Sequence, residues 1–196
     1  MKTYIKAILI IVTLILTGCE DGPNVPSYPA IKFDHLETFN LNVASIDIVD
    51  RYEPPMGQPN VDHLFPLSLS SAIETWAKGR LHATGPAHKL KVVVHDASVI
   101  SKTLPRSEKG IKGFFTKEQG ELFSARLEVT FEVFEDDPLI PKNEMRIEIS
   151  KSKSIEEGAT LNEKEALFYQ ITKDMINDFN AQFEKNFDTY LSQFRL

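Results

Sequence analysis

The sequence predicts an α+β domain. It has a mixed, largely antiparallel four-stranded sheet with two helices packed on one face, in the order β-α-β-β-β-α, and it closes on a long C-terminal helix. Three observations carry this. Residues 121–135 (ELFSARLEVTFEVFE) alternate strictly, with Phe123, Ala125, Leu127, Val129, Phe131 and Val133 on one parity and Arg126, Glu128, Thr130 and Glu132 on the other. Such alternation describes a strand with one packed and one wet face. Phe168, Ile171, Met175, Phe179, Phe183, Phe187, Tyr190 and Phe194 recur every three or four residues, the stripe of an amphipathic helix over residues 163–194. Gly85-Pro86 and Asp136-Asp137-Pro138 mark turns between the periodic segments.

The first strand begins at Phe39. Phe39, Leu41 and Val43 share one parity and Ile46 and Ile48 the other, so a bulge is expected near Ala44-Ser45. Residues 50–66 carry Pro54, Pro55, Pro59 and Pro66. A loop of this length is either functional or held by its own apolar residues, here Met56, Val61, Leu64 and Phe65. A helix is expected over residues 70–83. Ser71 and Glu74 have capping-box spacing, and Ile73, Trp76, Ala77, Arg80 and Leu81 lie on one side, so Trp76 is expected against the sheet.

Residues 89–103 (KLKVVVHDASVISKT) read as a long central strand, with Leu90, Val92 and Val94 on one face. Asp96 within it is either a buried carboxylate in need of a partner or the point where the strand reaches the surface. Met145, Ile147 and Ile149 continue the period of two in a fourth strand. Thr160 and Glu163 have capping-box spacing at the start of the long helix. That helix is roughly 45–50 Å long against ~33 Å for a ten-residue strand, so its aromatic end is expected to overhang the sheet as a contact surface.

The chain opens differently. Lys2 and Lys6 precede an apolar stretch of ten residues, 7–16, interrupted only by Thr13 and about half of the ~20 needed to span a membrane, and it ends in Leu16-Thr17-Gly18-Cys19. This reads as a processed leader over residues 1–18. Cys19 is the single cysteine, so an exported domain would hold no disulfide, thiolate nucleophile or cysteine zinc site. Residues 19–37, with three prolines between 23 and 29, read as a tether, and 38–196 as one domain.

The formal charge of −6 falls to −8 once Lys2 and Lys6 leave with the leader, which argues against nucleic acid as a partner. The distribution is uneven. Lys102, Arg106, Lys109, Lys112 and Lys117 stand against Glu108 alone, whereas residues 156–196 hold eight acids and four bases. Inside the basic island, Ile111, Phe114 and Phe115 sit among Gly110, Gly113 and the lysines. Either they fold back to cap the core, or Ile111, Lys112, Phe114, Phe115 and Lys117 touch a membrane or a partner.

There is no nucleophile elbow, phosphate-binding Gly-rich loop or H-E-x-x-H pair in the sequence. The five histidines are scattered, and His95 and Asp96, adjacent on a strand, point to opposite faces. The expectation is a non-enzyme with no cofactor and no metal.

The Leu16–Cys19 run resembles the lipobox of bacterial lipoproteins. That resemblance implies a Cys19 carrying diacylglycerol and an N-acyl chain such as palmitate, and hence a membrane anchor. By analogy with Gram-negative sorting, Glu20 after the cysteine implies the periplasmic face of the outer membrane, with inner-membrane anchoring left open. The element order behind this anchor is similar to auxiliary lipoproteins of outer-membrane lipid and lipopolysaccharide transport. The run HLFPLSLSSAIETWAKGRL with VVVHDASV is similar to envelope lipoproteins of no assigned role. The resemblance implies an accessory or scaffold protein, with an envelope protein complex as partner. The alternative is a carrier or chaperone that holds a small apolar or lipidic ligand between the long helix and the sheet. Oligomeric state is not legible.

Overall fold

The computed structural model describes residues 27–105, 119–135 and 139–196. The expected α+β architecture is present, and the alternating segment is its axis. Strand β6 (Gln119–Phe134) pairs antiparallel along one edge with β7 (Asn143–Glu156). Along its other edge lie β4 (Lys89–Asp96) and β5 (Val99–Thr103), end to end. These two are the single long strand expected over 89–103, interrupted at Ala97-Ser98. The Asp96 carboxylate accepts from the Ser98 amide at 2.9 Å there, and Arg126 donates its own amide to the Ser98 carbonyl at 2.9 Å. Asp96 also lies 3.5 Å from the Arg126 guanidinium, so its carboxylate is paired at the strand break rather than stranded in the core. Strand β2 (Ser45–Asp50) runs parallel to β4 at the outer edge. In cross-section the sheet is four strands wide, as expected.

Helix α1 (Leu69–Arg80) makes the crossover from β2 to β4, and the long helix α2 (Leu161–Tyr190) follows β7. The α2 start is the expected one. Thr160 Oγ1 accepts from the Glu163 amide at 3.3 Å, and the Glu163 carboxylate accepts from the Thr160 amide at 2.7 Å. The α1 start lies earlier than expected: Ser68, not Ser71, is the cap, and its hydroxyl accepts from the Ser71 amide at 3.2 Å. Residues 81–83 leave the helix because they have a better partner. Strand β3 (Leu81–Ala83) pairs in parallel with β1 (Phe39–Leu41). The C-terminus closes the other side of β1, with Asn42 donating to the Phe194 carbonyl at 2.7 Å and Leu196 to that of Asn40 at 3.0 Å. The change of parity near Ala44-Ser45 is therefore the passage of the chain from one sheet to another, not a bulge.

This small sheet also corrects the expected overhang. Phe179, Phe183 and Phe187 are buried, because β1 extends the wall beyond the main sheet and lays Phe39 between them, 5.1 Å from the Phe183 ring and 4.6 Å from that of Phe187. Trp76 meets Phe179 and Phe183 edge-on at 4.9 and 4.8 Å, and Phe131 approaches Phe183 at 4.9 Å. Each such pair contributes about 0.5–1.5 kcal/mol beyond its burial. The space between helix and sheet that a carried apolar ligand would need is filled by these rings.

In the loop after β2 the pinning is shared unequally. Val61 and Phe65 are buried, and Phe65 stacks on Phe168 at 4.5 Å, whereas Met56 and Leu64 face solvent. The outer face of the sheet is a lattice of charges. Arg126 meets Glu148 at 2.9 Å, Arg146 meets Glu128 at 2.7 Å, and Lys89 pairs with Asp47.

Candidate functional site

The expected contact residues Ile111, Lys112, Phe114, Phe115 and Lys117, and the expected lipidation site Cys19, lie outside the described residues. What is described is the ground on which both segments stand, and the two meet the fold near one another.

Residues 28–36, the second half of the segment read as tether, lie along α2 as a strap. Tyr28 stacks on Tyr169 at 5.1 Å, and the Tyr169 hydroxyl donates to the Pro29 carbonyl at 2.9 Å. Further along, Phe33 is buried, and Ile31 and Leu36 pack partly into the core. The segment that carries Cys19 thus reaches the fold beside the first third of α2.

The residues that flank the basic segment lie at the same end. Leu104 donates to the Gly120 carbonyl at 2.9 Å, which draws together the chain ends that flank it. Gly120 packs against the turn after β7 so closely that a Cβ would lie 2.9 Å from Glu157 Cα. Lys164, in the first turn of α2, pairs with Glu121 at 2.8 Å. Tyr169 is five residues further along the helix, about 7.5 Å at 1.5 Å per residue.

Beside Gly120, where β7 turns into α2, is a shallow groove of about 530 Å³, floored by Ile155, Ala159, Ala166 and Leu167 and rimmed by Glu156, Glu157 and Glu163. Leu161 stands nearby with 70% of its surface exposed. It adds an apolar side chain to the edge of that groove. It is the kind of residue a contact surface uses.

A second polar cluster lies inside. Arg80 is 1% exposed. Its Nε donates to Asn180 Oδ1 at 3.1 Å, and its Nη2 pairs with Glu184. Burial holds the Arg80 guanidinium below its ordinary pKa, and the charges of Glu184 and Glu37 oppose that shift. The signal for it was in the sequence: Arg80 shares the buried side of its helix with Trp76, and a buried arginine requires an acceptor. It clamps α1 to α2 and faces no described cleft, so its role is structural.

Among the described residues no group of three or more His, Cys, Asp or Glu side chains converges to hold a metal ion. Within the same residues no helix is long and apolar enough to cross a membrane. His95 bonds Thr130 across the sheet at 2.8 Å rather than Asp96.

No family model matches the chain, and no curated protein matches it. The fold is similar to solved lipoprotein structures. One is rare lipoprotein B from Shewanella oneidensis, 12% identical, covering 74% of this chain and 98% of the other with a TM-score of 0.30. Another is a minor lipoprotein from Acinetobacter baumannii, 14% identical, covering 70% and 94% with a TM-score of 0.30.

Proposed function

We propose that the chain is a lipid-anchored, non-enzymatic accessory or scaffold lipoprotein of the cell envelope. It is held through acylated Cys19 on the periplasmic face of the outer membrane, where it assists a lipid- or lipopolysaccharide-transport assembly. The observation that carries this reading is the convergence at the start of α2: the strap that leads to Cys19, the root of the basic loop and the apolar groove share one end of the molecule. From Cys19 to Tyr28 the chain can span at most ~30 Å, at ~3.3 Å per residue. An anchor of that reach keeps this end toward the bilayer and toward whatever is embedded in it. Two or three acyl chains at ~0.8 kcal/mol per buried CH₂ make the anchoring effectively permanent. Phe114, Phe115 and the lysines around them supply the contact from the loop, each base contributing ~1 kcal/mol near an anionic surface.

The test is a crosslinked pull-down of the acylated protein from solubilised envelopes, with a photo-reactive residue at position 161. Stoichiometric recovery of a barrel or transporter component, crosslinked through position 161, is the expected result. Crosslinking to no protein through that position would overturn the reading.

A further inference from the structure

We propose that the cleft between the strap and α2 binds a phosphate group carried on an apolar body, the chemistry of an anionic phospholipid. The cleft holds about 640 Å³, within the range of small-molecule sites. Its walls bring together Lys32 and His35 from the strap and Lys173 from α2, and Ile31 and Leu36 give it an apolar floor.

No carboxylate lines the cleft. Three acids on the neighbouring turns of α2 are committed elsewhere. Asp174 is held by Lys153 at 2.6 Å and by Gln170 at 2.6 Å, Asp178 by Lys151 at 2.6 Å, and Glu184 by Arg80. Among the described residues Lys32, His35 and Lys173 make no ion pair, so three basic side chains line one hollow whose lining holds no carboxylate, with Asp34 and Glu37 beside them on the strap. Two separate segments supply them, and the Phe33 side chain under the strap fixes their spacing. An anion is the complement of such walls, because a phosphate oxygen can accept from several donors at once. The floor selects a ligand with an apolar portion attached. The position agrees with this, because the cleft lies on the segment that leads directly to the anchor.

The inference is independent of the accessory role, since it concerns a different face of α2 from the groove at Leu161. The experiment uses the whole mature polypeptide with Cys19→Ser, titrated with dihexanoyl phosphatidylglycerol below its micelle concentration and followed by NMR of the His35 imidazole. Inorganic phosphate and dihexanoyl phosphatidylcholine are titrated in parallel. The expected result is a saturable shift with phosphatidylglycerol, at least tenfold tighter than with either of the others. Lys32→Ala/Lys173→Ala should weaken it at least tenfold with an unchanged thermal midpoint, and Lys164→Ala, outside the cleft, should not. Inorganic phosphate that binds as tightly as phosphatidylglycerol would overturn the lipid assignment. Equal binding of the two lipids, or an unaffected double variant, would overturn the site.

Discussion

Asn180 Oδ1 accepts two hydrogen bonds, from Trp76 Nε1 at 2.9 Å and from Arg80 Nε at 3.1 Å. One amide oxygen on α2 therefore accepts from both polar side chains that α1 buries against it. Its Nδ2 donates to Glu184 at 3.1 Å, which aligns the carboxylate with Arg80. Asn180→Ala leaves both donors buried without an acceptor, each loss costing ~1–3 kcal/mol. A fall of about 2–4 kcal/mol in unfolding free energy is expected by urea denaturation. Arg80→Met, which removes the buried charge and fills its volume, should cost less than Asn180→Ala. The reverse order would mean that the charge, not the amide, holds the helices together.

Gly85 and Gly79 make opposite predictions. A Cβ on Gly85 would lie 2.5 Å from Asn42 C and 2.6 Å from Val43 N, backbone atoms of the corner where β1 leaves the small sheet. Gly85→Ala must push that corner away, at about 1–3 kcal/mol. Gly79, near the end of α1, would place its Cβ 3.8 Å from Phe33 Cβ, an ordinary contact. Gly79→Ala is expected to stabilise by about 0.5–1 kcal/mol through helix propensity. Thermal midpoints of the two variants should move in opposite directions.

The parts of the fold legible in the sequence were those whose signal is local. The capping box at Thr160 and Glu163 is written within four residues, and the strict alternation of β6 needs only its own strand to be read. The parts that escaped are set by partners far along the chain. Leu81, His82 and Ala83 continue the helical pattern of α1 and become a strand only because β1 offers an edge. The change of parity before Ile46 looks the same in sequence whether the chain bulges or changes sheets. The strap was masked by its prolines: Ile31, Phe33 and Leu36 carry no clean period, and only α2 beneath them makes their burial worthwhile. Lys32, His35 and Lys173 converge across about 140 residues of sequence, a distance no spacing rule bridges.

The strap offers a kinetic prediction. Its hold on the fold is concentrated in Phe33, which is buried, and in the Tyr28–Tyr169 stack with the bond to Pro29. A Phe→Ala change in a core costs ~3–5 kcal/mol when the surroundings cannot collapse. Here the strap can lift away instead, so Phe33→Ala should release it without unfolding the sheet. Limited proteolysis is expected to cut the variant between residues 28 and 37 at a rate at least tenfold above wild type, with the far-UV spectrum retained. Tyr169→Phe, which loses one hydrogen bond of ~0.5–1.5 kcal/mol, should give a smaller increase. Global loss of structure in Phe33→Ala would show that the strap is integral to the core.

Tyr52 sets an alkaline limit. Its hydroxyl is enclosed beside Asp62, and its pKa is pushed up to about 12 by burial first and then by the charges of Asp62, Asp96 and Asp50. In the unfolded chain the phenol titrates near its ordinary value of 10.0. A group whose folded pKa is raised contributes stability that is present in full below the unfolded value and lost as pH climbs through the folded one. Stability should therefore decline between pH 10 and about 12, as the phenolate becomes available to the unfolded chain before the folded one. Absorbance at 295 nm should show a late phase of tyrosine ionisation in the folded protein, and the part of it due to Tyr52 should vanish in Tyr52→Phe. The same variant, measured by urea denaturation across this pH range, should lose less stability per pH unit than wild type. An unchanged slope would mean that Tyr52 ionises as easily in the fold as out of it.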